Sequence, residues 1–92
     1  MHDYTKEINE YVKDRDQAVT ESIRTDSVEP FKAFIRKHSN AFPKCFEVPS
    51  DGILEISIRQ MAIHCTDIEP EIKGKAVEWL VSRGCKLDIY DE

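Results

Sequence analysis

The sequence lacks the local signatures by which a short chain reveals its chemistry. Its 92 residues contain no glycine-rich nucleotide loop and no close pair of zinc ligands. No apolar run approaches the roughly 18 residues that a membrane helix needs, and Arg59 interrupts the best candidate. We therefore predict no cofactor, no metal site and no membrane contact. The apolar fraction of 40% predicts one compact domain over residues 1–92.

Cysteine is also scarce and odd in number. Cys45, Cys65 and Cys85 cannot all pair within one chain, and their even separation is not the spacing of zinc ligands. No charged and apolar leader segment precedes the first predicted helix. These features predict a reduced protein located in the cytoplasm.

Positive charge is deficient overall. Thirteen Lys and Arg stand against 18 Asp and Glu, a net charge of −5, and the whole excess falls in residues 47–92. Such a chain repels phosphate backbones and anionic lipid, which makes nucleic acid an unlikely partner. Residues 30–46 nevertheless contain no carboxylate, and Lys32 and Arg36 share a helix face there.

Candidate catalytic groups fail on geometry. His64 and Cys65 are adjacent, and adjacent side chains on a helix point about 100° apart, so they cannot act as a nucleophile and its base. Cys45 or Cys85 could meet His38 or His64 in space, but no motif supplies an oxyanion donor. We predict no catalytic residue and no enzyme.

The remaining polar and aromatic candidates have structural explanations. Glu69, Glu71 and Glu78 fall at the start and on the outer face of a predicted helix, where the helix dipole and solubility account for them. Trp79 is followed by Leu80, and such a pair belongs to a core more often than to a ligand platform.

Helical periodicity covers most of the chain. In residues 4–38 it predicts a first helical hairpin, broken at Thr25–Ser27, where Asp26 or Ser27 should cap the second helix ahead of Pro30. The apolar positions of its first helix, predicted to face the core, are Tyr4, Ile8, Tyr11, Val12, Ala18, Val19 and Ile23.

A long connection follows over residues 39–52, where two prolines and a glycine argue against any regular element. Four apolar side chains, Phe42, Cys45, Phe46 and Val48, are unusual in a free tether. We expect this loop to fold over the helices as a lid on the core. The alternative is an exposed docking patch.

A second helical hairpin is predicted over residues 53–84, followed by an extended tail over residues 85–92. Leu54–Ile58 alternates like a strand, but the unbroken length of residues 53–65, with Ser50 and Asp51 as caps, favours a helix. Thr66–Asp67 should cap the fourth helix, and Gly84 should end it in the C′ position. The predicted fold is all-α, with about four helices in two stacked hairpins.

The two hairpins echo one another, because Ser27–Pro30 and Asp67–Pro70 each open a helix about forty residues apart. Residues 76–91 resemble the second helix and exit turn of an ankyrin repeat, and Val28–Ile35 is similar to the same helix one repeat earlier. The Thr-Pro-Leu-His turn that opens each ankyrin repeat is absent from this chain. The ankyrin period is about 33 residues, whereas the two units here are about forty residues apart. The chain also resembles the small proteins carried by bacterial phages and mobile elements.

In that comparison, Gly84 corresponds to the helix-ending glycine of the ankyrin repeat, Leu87 to its buried apolar residue and Asp88 to its polar turn residue. The resemblance covers about half the chain and implies paired helices that bind other proteins.

Two functions from different classes follow. The leading hypothesis is a non-enzymatic protein-protein interaction module with an unidentified protein partner, and two repeat units leave end faces that a homodimer could bury. The alternative is a nucleic-acid accessory protein of a phage or mobile element that uses Lys32, Arg36 and Lys37. With Lys44, these residues form the predicted interaction patch.

Overall fold

The computed structural model describes residues 5–64 and 67–87, and within them it contains four α-helices, one short 3₁₀ helix and no strand. The elements are α1 (Thr5–Thr25), α2 (Glu29–Lys37), the 3₁₀ helix (Ser39–Ala41), α3 (Asp51–His64) and α4 (Pro70–Ser82). Helix α1 packs against α2, and α3 packs against α4. The predicted all-α fold with two helical hairpins is confirmed, and Leu54–Ile58 is helical.

One cluster of buried apolar side chains draws on all four helices. Helix α1 packs against each of the other three, and its buried residues all lie in its C-terminal half. The prediction that the whole apolar stripe of α1 faces the core is wrong at Ile8 and Val12, which are exposed, and Tyr4 lies outside the described residues. Within the described residues, no helix combines the length and apolar character needed to cross a bilayer.

The turn between α1 and α2 is built differently from the predicted cap. Asp26 adopts a left-handed conformation with φ of 53°, and the Ser27 N–H donates to the Ser22 carbonyl at 3.0 Å. This is the Schellman arrangement that ends a helix, here with an aspartate where glycine is usual. Asp26 therefore terminates α1, and the predicted cap of α2 at Asp26 or Ser27 is wrong, because its N-cap is Val28 without a side-chain cap bond. The Ser27 hydroxyl accepts the Glu29 N–H at 3.2 Å one residue before that cap.

The connection between the hairpins is more regular than predicted. The 3₁₀ helix extends α2, since the Ala41 N–H donates to the His38 carbonyl at 2.9 Å. It ends just before Pro43, which has no N–H to continue the pattern. Helix α3 begins at Asp51, two residues before the predicted start, and the Ser50 carbonyl accepts the Leu54 N–H at 2.9 Å.

Helix α4 begins at Pro70 and ends as predicted, but its N-terminal cap differs from the prediction. Its N-cap is Glu69, with no side-chain cap bond, so the predicted cap at Thr66–Asp67 is wrong for Asp67, and Thr66 lies outside the described residues. Gly84 has a φ of 68° and ends the helix as predicted, with the Cys85 N–H donating to Leu80. Residues 88–92 of the predicted tail lie outside the described residues.

Arg59 joins the two hairpins. Its side chain is 4% exposed, and one nitrogen donates to Asp26 Oδ1 at 2.9 Å while another donates to the Glu55 carbonyl at 2.9 Å. The guanidinium carbon lies 4.1 Å from the centroid of the Trp79 ring, within cation–π range. Helix α3 is therefore bonded to the end of α1 and stacked on α4 through one side chain.

Candidate functional site

An open groove lies beside the 3₁₀ helix, between the end of α2 and the connection that follows. Its volume is about 420 Å³, within the range of about 300–1,000 Å³ that ligand-binding clefts occupy. We call it the loop groove. Its lining residues are Ile35, Arg36, Ser39, Asn40, Phe42, Pro43, Lys44, Phe46 and Val48.

The apolar side chains of the connection divide between the core and the solvent. Phe42 is half-buried against the core, as expected of a lid, whereas Phe46 is 39% exposed and Val48 is 48% exposed. The Phe42 and Phe46 rings stack with centroids 4.8 Å apart, so Phe42 holds Phe46 in place at the surface. Cys45 is also exposed. The lid interpretation holds for Phe42, while Phe46 and Val48 form an exposed apolar wall.

A turn at Pro43 precedes the residues that form the apolar wall. The Phe46 N–H donates to the Pro43 carbonyl at 3.0 Å, which closes a turn and leaves residues 46–50 without regular structure. Both Phe46 and Val48 line the loop groove, whereas Glu47 between them does not. Glu47 is exposed to solvent and adds no carboxylate to the lining of the groove.

Two of the four members of the predicted basic patch form ion pairs with carboxylates of other residues. Lys32 Nζ lies 2.6 Å from Asp51 Oδ1 and 3.8 Å from Glu29 Oε1. Lys37 Nζ lies 2.8 Å from Asp14 Oδ2. These carboxylates raise the pKa of both lysines, mainly through their hydrogen bonds. Residues 30–46 contain no carboxylate, but the carboxylates of neighbouring elements supply the missing partners.

Arg36 and Lys44 are the two members of the patch that remain available. Both are exposed and line the loop groove, and among the described residues neither forms an ion pair. The groove thus has apolar walls with two cations beside them. A surface of this kind can bind an apolar side chain and pair with a carboxylate at the same time.

A second groove lies on the other side of the 3₁₀ helix and shares Asn40 with the first. Its volume is about 670 Å³, and the exposed side chain of Ile8 contributes to its lining. Its polar floor is His38, whose Nε2 donates to Asp14 Oδ2 at 2.8 Å. The His38 ring also packs against Tyr11, with centroids 5.3 Å apart.

Asp14 is the centre of this second cluster. The hydrogen bond from Lys37, and then that from His38, lower the pKa of the Asp14 carboxyl. The predictions from sequence missed this residue, because its partners lie 23 and 24 positions away on another helix. The spacing of Asp14 one turn after Glu10 on the polar face is the only sequence signal for it, and it does not identify the partners.

Among the described candidate catalytic groups, no hydrogen bond joins a cysteine to a histidine. His38 is bonded to Asp14, His64 is exposed at the end of α3, and Cys65 lies outside the described residues. Cys85 is half-buried, and its thiol is 4.0 Å from the Arg83 carbonyl. Among the residues that the structure describes, no group of three or more His, Cys, Asp or Glu is placed to hold a metal ion.

The remaining predicted positions lie away from both grooves. Glu69, Glu71 and Glu78 are exposed at the start and on the outer face of α4. Trp79 is half-buried, and the guanidinium carbon of Arg83 lies 4.0 Å from its ring centroid, as that of Arg59 lies at 4.1 Å. Trp79 therefore packs against arginine side chains as well as within the α3–α4 hairpin.

Comparison of the chain with protein-family models, with curated proteins and with solved structures gives no match. The resemblance to ankyrin repeats therefore stays a prediction from the residues quoted for it.

Proposed function

We propose that the chain is a non-enzymatic protein-protein interaction module of the cytoplasm and that the loop groove is its docking site. The observation that carries the proposal is the exposed apolar wall of Phe46 and Val48 beside two cations that form no ion pair with any other described residue. Large exposed side chains that line one concave surface are typical of interaction sites, whereas single ones are common on any protein.

The way in which Phe46 is held supports this proposal. Stacking on Phe42 limits the conformations of the Phe46 ring before any partner binds. An aromatic anchor that is already ordered loses less conformational entropy on binding. Because Phe42 packs against the core, the anchor rests on the helices.

The test is capture of a partner by the tagged chain from its host, with and without the apolar wall. We expect Phe46→Ser combined with Val48→Ser to abolish capture, because buried aromatic anchors contribute about 2 kcal/mol or more to an interface. The matched control combines Val81→Ser with Leu87→Ser, which removes exposed apolar side chains far along the chain from the groove.

Circular dichroism should show equal helicity for both double variants, since all four positions are exposed. Equal capture by both variants would refute the proposed docking site.

Light scattering on the purified chain tests the other predicted partner, a second copy of the chain, by measuring the oligomeric state. A dimer that the control variant retains and the groove variant loses would place that second copy in the loop groove.

The nucleic-acid alternative has less support than the protein-binding proposal. Of Lys32, Arg36 and Lys37, only Arg36 is without an ion pair among the described residues. Each cation that is already paired contributes less to phosphate binding, because its carboxylate partner must first be displaced.

A further inference from the structure

We infer that the loop groove binds an acidic amphipathic peptide segment of the partner protein. The inference rests on the proposed function and specifies the chemistry of the partner. Its basis is charge complementarity, since apolar walls and two available cations lie at one site.

The apolar part of the site specifies what the segment must bury. Ile35, Phe46 and Val48 present aliphatic and aromatic surface to the groove. The volume of about 420 Å³ is sufficient for a few apolar side chains but not for a folded domain. A short segment that presents apolar residues from one face satisfies this requirement, as amphipathic helices do in hydrophobic grooves.

The charged part of the site specifies the sign of the segment. Arg36 and Lys44 lie among the apolar lining residues, and no carboxylate of the described residues lies within 4 Å of either charge. Asp51 and Glu29 pair with Lys32, and the α1 carboxylates Asp14 and Glu10 pair with Lys37. The groove therefore has a positive edge although the chain carries a net charge of −5. Carboxylates on the segment would supply the missing partners.

A single-stranded nucleic acid is the competing occupant, because it too combines negative charge with flat apolar groups. The rings of Phe42 and Phe46 stack on each other, so one face of each is already covered. The other apolar walls are aliphatic, and aliphatic groups offer no stacking surface to a base. The negative net charge also opposes a polyanion more strongly than a short peptide.

The test measures fluorescence anisotropy of a labelled synthetic peptide of about 16 residues. It carries leucine and phenylalanine at positions i, i+3, i+4 and i+7 and glutamate elsewhere. A second peptide replaces every glutamate with lysine, and a labelled oligothymidylate represents single-stranded DNA. The protein variants are Arg36→Glu with Lys44→Glu, and the control Lys13→Glu with Lys75→Glu, which changes the net charge equally at exposed positions away from the groove.

We expect the wild-type chain to bind the glutamate peptide more tightly than the lysine peptide, with an affinity that falls as salt is added. The Arg36→Glu and Lys44→Glu variant should bind the glutamate peptide at least about tenfold more weakly and should gain affinity for the lysine peptide. The control variant should change by less than about threefold.

Equal weakening by both variants, or tighter binding of oligothymidylate than of the glutamate peptide, would overturn the inference. Absence of glutamate-peptide binding to the wild-type chain would overturn it as well. These failures are distinguishable from failure of the docking site itself. If Phe46→Ser with Val48→Ser still abolishes capture of the host partner, the groove remains the docking site and only the acidic character of its partner is refuted.

Discussion

Arg59 and Asp26 form an ion pair that is buried on one side only. The Arg59 side chain is 4% exposed, whereas that of Asp26 is 78% exposed. Burial is the largest influence on the pKa of Arg59 and lowers it below its ordinary value, although the Asp26 carboxylate acts in the opposite direction. The Arg59 Nε has no hydrogen-bond partner among the described residues, which adds to the free energy lost by burying this group. The asymmetry predicts that the two partners respond differently to substitution.

Asp26→Asn should destabilise the chain by about 1–2 kcal/mol, because it leaves a buried guanidinium without its carboxylate. Arg59→Met should stay within about 1 kcal/mol of the wild type, because it removes the buried charge and fills a similar volume while Asp26 is hydrated. Urea unfolding followed by circular dichroism measures both. A larger loss for Arg59→Met would show that the pair and the Trp79 contact are net stabilising.

Two glycines, one within α4 and one at its exit, allow a second comparison. Gly84→Ala should destabilise the chain by about 1 kcal/mol, because a φ of 68° is unfavourable for a residue with a Cβ. A Cβ there meets no atom within 4 Å, so a steric clash does not contribute. The matched control is Gly74→Ala within α4, where a Cβ also meets nothing within 4 Å and helix propensity predicts a gain of about 0.5–1 kcal/mol. Equal signs for the two variants in urea unfolding would contradict this account of the α4 exit.

At the scale of elements, helix periodicity is sufficient to predict which segments form helices, but it is insufficient to predict which helix surfaces are in contact. The four helices were predicted because spacing of three and four residues is a local property, and Gly84 was predicted because its position follows the helix directly. The exposure of Ile8 and Val12 could not be predicted, because the same spacing occurs whether or not another helix packs against that part of α1. The N-cap of α4 at Glu69 shows a similar limit, because the sequence preference for a cap-type side chain favoured Thr66–Asp67.

The link between α1 and α2 is an element-scale feature with a pH signature. The bonds from Lys37 and His38 lower the pKa of Asp14 below its ordinary value of 3.8. The stability that they contribute is therefore fully present above that value, and it is lost as the pH falls through the lower pKa of the folded state.

Asp14→Asn should be less stable than the wild type at pH 7, and the difference should shrink as the pH falls below about 4. Midpoints of urea unfolding at a series of pH values measure this difference. The control is Asp67→Asn, which changes an exposed carboxylate for which no ion pair is found among the described residues. A difference between Asp14→Asn and the wild type that stays constant down to pH 2 would contradict the assignment.

At the scale of the whole molecule, the loop groove was only half predictable. The sequence placed four apolar residues in a proline-containing connection, which left lid and docking patch as alternatives. The division between Phe42 and Phe46 depends on how the 3₁₀ helix directs the chain, and that is a tertiary property. The ion pairs of Lys32 with Asp51 and of Lys37 with Asp14 could not be predicted for the same reason, because each carboxylate belongs to another element.

Hydrogen–deuterium exchange of the chain, alone and bound to the partner that it captures, tests the proposed docking site most directly. The account predicts slower exchange on binding at residues 39–48 and at the end of α2 around Arg36, with little change along the outer face of α4. Slower exchange confined to α4 or to the N-terminal turns of α1, with residues 39–48 unchanged, would contradict it.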